Sequence, residues 1–234
     1  MDLTKRSLAI LLFLLMAAFV PATPAADVED ERERAQKAAD VLVEIMDVPE
    51  KGIPKDLLER AHAIAVIPHV VKGALGLGGR YGKGLIASRD SQGNWTAPSF
   101  VSIGGGSVGF QIGVSATDLV LVFTNEDGLK PLLKGKVTLG ADASVAAGPV
   151  GRTAQGSTDI TLNSSIYSYS RAKGLFAGVA LDGAAITIDD SANEKVYGSG
   201  VSGTDILVDK KVSSQPTVQP FLQALNRVVP AHKH

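Results

Sequence analysis

The sequence predicts an α+β fold: a mainly antiparallel, curved, barrel-like β-sheet body, with helices at the N-terminus and one at the C-terminus. Three observations lead there. From Val71 to Thr117 glycine recurs between short apolar runs such as Gly84-Leu85-Ile86-Ala87-Ser88 and Ser107-Val108-Gly109-Phe110-Gln111-Ile112. Glycine in a strand marks a bulge, a sharp bend or a close backbone approach, and a flexible linker would lack the apolar runs. The second observation is a helical stripe before this region, and the third is another at the far end of the chain.

Composition narrows the class. Hydrophobic residues make up 45% of the 234 residues and charged ones 20%, as in an ordinary globular chain. Aromatics are only 5%, so the core must be built from Val, Leu, Ile and Ala. A net charge of -1, with no basic patch interleaved with aromatics, excludes a general nucleic-acid binder.

Residues 1–26 have the pattern of an export signal. Lys5 and Arg6 precede an apolar run from Ser7 to Val20, too short for a spanning helix, and small residues from Pro21 to Ala26 follow. Cleavage is expected near Ala25 or Ala26, giving a periplasmic or cell-envelope protein. The chain has no cysteine, so the expected product is not a lipoprotein and has no disulfide. The remainder divides into a helical section, 27–62, and a β-rich section, 63–229, forming one globular unit.

The spacing of Ala35, Ala38, Ala39, Leu42, Ile45 and Met46 predicts a helix over Asp27 to Asp47, ended by Pro49. Its acidic polar face favours packing on the sheet over lying on an anionic membrane. A short helix follows Pro54, with Leu57, Leu58 and Ala61 inward. Ala63–Ile67 reads as a buried strand bounded by Pro68. His62 and His69 flank it without metal-ligand spacing. Gly84–Asp90 and Asn94–Ile103 form a hairpin around Ser91-Gln92-Gly93-Asn94, and Gly104-Gly105-Gly106 reads as a tight re-entry into Val108–Val114.

Asp118–Thr124 is a strand buried on both faces, and Glu126–Leu133 a short helix. Lys134–Val150 reads as strand, and Ser157–Ser168 as a strand with one solvent face. Gly174–Leu181 and Ala184–Ile188 pair around Asp182-Gly183. Asp189–Tyr197 is a loop or short helix, Thr204–Val208 an edge strand, and Thr217–Val229 a closing helix.

Two chemistries fail on these residues. Gly76-x-Gly78-Gly79 and Gly82-x-Gly84 suggest phosphate loops, but no GxxxxGK[ST] is present, so no nucleotide or other cofactor is expected. Gly105-Gly106-Ser107-Val108-Gly109 satisfies G-x-S-x-G, yet strand rather than helix is expected after Ser107, so a serine hydrolase is only a remote alternative.

Several separated motifs in one order resemble a known family. They are GLIASR at 84–89, WTAPSF at 95–100, IGGGSVGFQIG at 103–113, TDLVLV at 117–122, LGADASVAAGPVG at 139–151 and GLFAGV at 174–179. The chain is similar to the SYLF domain, also called the Ysc84-type actin-binding domain, over roughly Ala35 to Leu225. The resemblance implies non-enzymatic binding of anionic lipid, with phosphoinositides the ligands of eukaryotic members, and actin binding in the fungal branch. Actin is not an expected partner of an exported protein. The expected partner is an anionic phospholipid or a membrane surface. The candidate lipid-binding residues are Lys72, Arg80, Lys83 and Arg89, with Lys130, Lys134 and Lys136 as a second basic cluster. Glycines there are expected to let head-group oxygens reach backbone N–H groups. The alternative is a structural or interaction protein of the envelope without a specific lipid.

Overall fold

The computed structural model describes residues 28–47, 52–75, 77–108, 113–150 and 163–229. Helix α1 (Glu29–Met46) opens it, with Glu29, Asp30 and Glu31 in the first turn, where the helix dipole favours acid. Ala35, Ala38, Ala39, Val41, Leu42 and Ile45 are buried. The predicted stripe therefore packs inward, while Pro49, expected to end the helix, lies outside the described residues. Helix α2 (Lys55–Glu59) follows Pro54.

Four long strands come next: β1 (Ala63–Leu75), β2 (Leu77–Ser88), β3 (Ser99–Val108) and β4 (Gly113–Phe123). Helix α3 (Glu126–Leu133) is capped by the Asn125 side chain, which accepts from the Gly128 N–H. Short strands β5 (Lys136–Thr138), β6 (Val145–Ala147), β7 (Ile166–Ala172), β8 (Leu175–Gly178) and β9 (Ala185–Ile188) complete one sheet. Helices α4 (Asp190–Tyr197), α5 (Gly203–Leu207) and α6 (Gln219–Val228) close the chain, α6 after a 3-10 turn at Pro216–Val218.

The sheet order is β5-β9-β3-β2-β1-β4-β7-β6, with β8 also on β7. Every pairing is antiparallel except β6 with β7. This order dictates the curl. Strands β5 and β6 lie at opposite ends of it, and laid flat they would stand about 34 Å apart at about 4.8 Å per strand. The chain from Thr138 to Val145 spans at most about 25 Å fully extended. It is shorter still, because Gly140 turns at φ 83° and Leu139 bridges Ala143. The sheet must roll into a half-barrel for both edges to pair.

Central strands are buried on both faces, which explains their unbroken apolar runs. Ile64, Val66, Leu85, Ala87, Phe100, Val120 and Val122 pack under α1, α2 and α6. Ala65, Ile67, Ile86, Val101, Ile103, Leu121 and Phe123 occupy the other face, in one cluster with residues of α3, β9 and Leu207.

Several expectations are corrected. Pro68 does not bound β1. The strand runs through it on a bulge, where the register slips between Ile67 and Val70 and His69 adopts φ 51°. A bulge is where a residue without N–H is tolerated within a sheet. Gly104-Gly105-Gly106 is no re-entry but the interior of β3, opposite Tyr81, Arg80 and Gly79. Lys134–Val150 is two strands on opposite edges, β5 and β6.

Ser157–Ser168 falls partly outside the described residues. Its remainder joins β7, whose Ile166 to Tyr169 are all buried, not solvent-facing. Gly174–Leu181 and Ala184–Ile188 do not pair with each other. Strand β8 joins β7, and β9 joins β3 and β5, because the Asp182-Gly183 turn carries the chain from one edge to the other. Thr204–Val208 is not a strand but part of α5. There Ser202 and Asp205 form a reciprocal capping box, a local signal strong enough to override β-branched content.

Candidate functional site

The four basic residues of the glycine-rich region do not form one cluster. Lys72 and Arg80 are direct cross-strand partners on β1 and β2. Arg89 lies nine residues further along the chain, about 30 Å away at about 3.3 Å per residue. It is 7% exposed, and its guanidinium donates to the carbonyls of Leu58 and Glu59 at 3.4 and 3.2 Å. The same group lies 4.6 Å above the Trp95 ring. Arg89 thus closes the end of α2 and holds the β2–β3 turn, a role that its number in the chain did not reveal.

Lys83 stands between the two ends, 3.7 Å from Asp189, which also takes Arg34 at 2.9 Å. Burial alone would raise the Asp189 pKa. The Arg34 hydrogen bond, the Ala192 N–H and the charges of Arg34 and Lys83 outweigh it and hold the carboxyl below the usual range. In the second cluster, exposed Lys130 pairs with Asp127 at 3.1 Å and Glu126 at 3.5 Å on α3. Lys134 and Lys136 are exposed where α3 leads into β5.

The Lys72–Arg80 end of the sheet has a property that charge counting missed. Val71 faces Tyr81 on β2 and Ala116 on β4, and Val114 stands opposite Gly73 on the same face. Val71 is 40% exposed, Tyr81 55% and Val114 81%. Lys72, Arg80 and Ser115 occupy the opposite face in one row. Among the described residues neither Lys72 nor Arg80 makes an ion pair, and the Arg80 Nε is enclosed without a hydrogen-bond partner. Apolar and basic side chains therefore lie back to back on the stretch of β1, β2 and β4 beyond the bulge.

Strand β2 pairs with β3 along Leu77–Ile86, and with β1 over Leu77–Tyr81 and Leu85–Ser88, leaving Gly82, Lys83 and Gly84 without a β1 partner at the bulge. Gly82 and Gly84 instead permit the β1 bulge to approach: a Cβ on Gly84 would lie 2.1 Å from the Val66 carbonyl oxygen. A Cβ on Gly73, Gly104 or Gly106 would meet nothing within 4 Å, and these three simply keep the surface low around Tyr81 and Val71.

Ion pairs fix α1 over the neighbouring stretch of sheet. Arg171 on β7 bridges Asp118 and Glu44, and Asp118 also accepts the His69 N–H at 2.9 Å. At the other end of α1, Lys195 reaches buried Glu31 at 3.2 Å. Ser107 is a strand residue opposite Gly78, not the head of a strand-to-helix elbow. Among the described residues no group of three or more His, Asp or Glu is placed to hold a metal ion, and no helix is long and apolar enough to cross a membrane.

The described residues thus form a curled, helix-covered sheet with one exposed amphiphilic end. The comparisons with known proteins name its kind: residues 104–228 match the Ysc84 family, described as Las17-binding protein actin regulator, and the chain belongs to that family. It is 36% identical over 176 residues to LAS seventeen-binding protein 3 of Saccharomyces cerevisiae, covering 74% of this chain and 38% of the relative. It is 32% identical over 182 residues to SH3 domain-containing YSC84-like protein 1 of Homo sapiens, covering 75% and 53%. The Xenopus laevis protein of that name gives 34% over 173 residues, covering 71% and 51%. The chain thus spans between about two fifths and about half of these relatives. The family description and the relatives' names denote binding and regulation, not catalysis.

Proposed function

We propose that this chain is a non-enzymatic membrane-binding module that docks on anionic or phosphorylated lipid through the bare end of its sheet. The observation that carries this is the convergence there of Val71, Tyr81 and Val114 on one face with Lys72 and Arg80 on the other. Entered edge-on, that end places aromatic and aliphatic groups at the interfacial depth where an amphipathic ring such as Tyr81 is favoured. The two cations then meet lipid phosphates, each contributing about 1 kcal/mol near an anionic surface. Lys83 and Arg89 lie outside this contact, since carboxylate and backbone partners hold them.

The module acts outside the cytoplasm, after removal of residues 1–26. Mass measurement of the protein from its envelope fraction tests that step, and an intact N-terminus would refute it. Las17 and actin belong to the names of relatives of which the match covers only part, and they are not extended to an exported chain.

Cosedimentation with vesicles tests the docking. Binding to vesicles rich in phosphatidylserine, absent with pure phosphatidylcholine and lost in Tyr81→Asp, is the expected result. Equal sedimentation with both vesicle types would favour an envelope interaction protein without a lipid ligand.

A further inference from the structure

At the opposite end of β2 a cavity of about 650 Å³ opens between α3, the β2–β3 turn and the segment following α5. From Tyr81 to Ser88 is seven strand residues, about 23 Å, so this cavity is separate from the membrane-docking end. Its volume is in the range that encloses one drug-sized molecule. Leu129, Leu133 and Leu207 supply apolar walls, while His62, Lys130 and Lys210 supply polar ones. A molecule that satisfies both sets is amphiphilic.

The sign of its head group follows from which polar groups are already committed. Asp90 accepts from Lys210 and from the N–H groups of Gln92 and Asn94. Ser88 donates to the Leu207 carbonyl, and Arg89 is held by Leu58 and Glu59. Two donors remain. The half-buried His62 ring makes no hydrogen bond among the described residues, and a neutral imidazole offers one N–H. The Lys130 ammonium has three N–H groups, shared only with Glu126 and Asp127, both more than half exposed, from which it can re-pair at little cost. Burial, opposed by Glu126 and assisted by Lys130, lowers the His62 pKa.

We infer that this cavity binds a single-chain carboxylate of the fatty-acid type, with its carboxylate on Lys130 and His62 and its chain against Leu129, Leu133 and Leu207. This is a second site, independent of the docking end. One ammonium, Lys130, and one imidazole N–H, with Lys210 held by Asp90, suit one carboxylate rather than a polyphosphorylated head group.

Trp95, the only tryptophan, lies against Arg89, which lines the cavity, so its emission reports occupancy. The full chain is titrated with decanoate below its aggregation concentration, by fluorescence and by calorimetry, with decylamine in parallel. The expected result is saturable one-to-one binding of decanoate and none of decylamine. Lys130→Glu, on an exposed side chain, weakens it about 10-fold or more, the loss of one charge-assisted hydrogen bond. Leu133→Arg abolishes it, with circular dichroism checking the fold. Lys72→Gln/Arg80→Gln leaves decanoate binding intact while reducing vesicle binding, which separates the two sites. No saturable signal, equal binding of decylamine, or decanoate affinity unchanged in Lys130→Glu would overturn the assignment.

Discussion

The division of the basic residues into free and committed ones yields a quantitative contrast. Lys72 and Arg80 sit side by side at the bare end and make no ion pair among the described residues, so removing their charge strands no carboxylate. Lys83, three residues along the same strand from Arg80, is paired with Asp189. At about 1 kcal/mol per cation near an anionic surface, Lys72→Gln/Arg80→Gln loses about 2 kcal/mol of membrane affinity, roughly 30-fold. Lys72→Gln alone loses about half of that free energy, roughly fivefold. Lys83→Gln loses much less, under about threefold, because its charge is already compensated. The two single variants carry the same net charge, which removes bulk electrostatics as an explanation. The assay is vesicle cosedimentation at fixed phosphatidylserine content, repeated at raised salt, which should narrow the gap by screening. If Lys83→Gln weakens binding as much as Lys72→Gln does, the contact is diffuse attraction to the whole molecule, and the docking geometry is wrong.

Further predictions test the framework that presents this end. Gly84→Ala drives a methyl into the Val66 carbonyl and the Ile67 Cα, which are backbone atoms that no rotamer change can clear. It should cost about 3 kcal/mol or more in urea denaturation, whereas Gly104→Ala, into open space, should be neutral or stabilising by up to about 1 kcal/mol. Arg89→Met should lose about 2 kcal/mol of stability through its carbonyl and Trp95 contacts while leaving vesicle binding unchanged. Lys210, with the Gln92 and Asn94 N–H groups, lowers the Asp90 pKa to about 2. A depressed carboxylate stabilises fully above its unfolded pKa of about 3.9, and this is lost as pH falls through the folded value. Asp90→Asn should therefore be less stable than the parent at pH 7, with the difference closing as the pH approaches that folded value. A constant difference across that range would exclude the ion pair as its cause.

What was legible in the sequence follows from the range over which each signal acts. The α1 stripe was located by its helical spacing, the C-terminal half of β4 by its unbroken apolar run, and the Asp182-Gly183 turn by residue type. Strand partners were not legible. The Asp182-Gly183 turn looks like a hairpin, yet β8 and β9 go to different edges, and only the closure of the whole sheet decides that. Pro68 looks like a terminus because the bulge that accommodates it needs Gly82 and Gly84, which lie on the next strand. The basic residues misled for a metric reason: Arg80 and Arg89 are near in sequence, but an extended strand carries them to opposite ends of the molecule. The apolar half of the docking end was overlooked because Val71, Tyr81 and Val114 each read as ordinary strand residues; only their exposure sets them apart.

That exposure is itself a consequence of unequal lengths. Helix α1, with 18 residues, is about 27 Å long, and β1, with 13, about 43 Å. A helix of that length cannot cover such a strand from end to end. Arg171 and Asp118 pin it through Glu44 beside the bulge, and beyond this point the same face carries Val71, Tyr81 and Val114 with no helix of the described residues over them. The buried stripe of α1 is thereby unavailable as a membrane anchor, since freeing Ala35, Ala38 and Leu42 would open the core that also holds Leu85 and Phe100. The sheet's own uncovered end is the part that can meet a bilayer without unfolding anything. Binding should accordingly leave far-ultraviolet circular dichroism unchanged, while a gain or loss of helix on vesicles would move the contact back to α1.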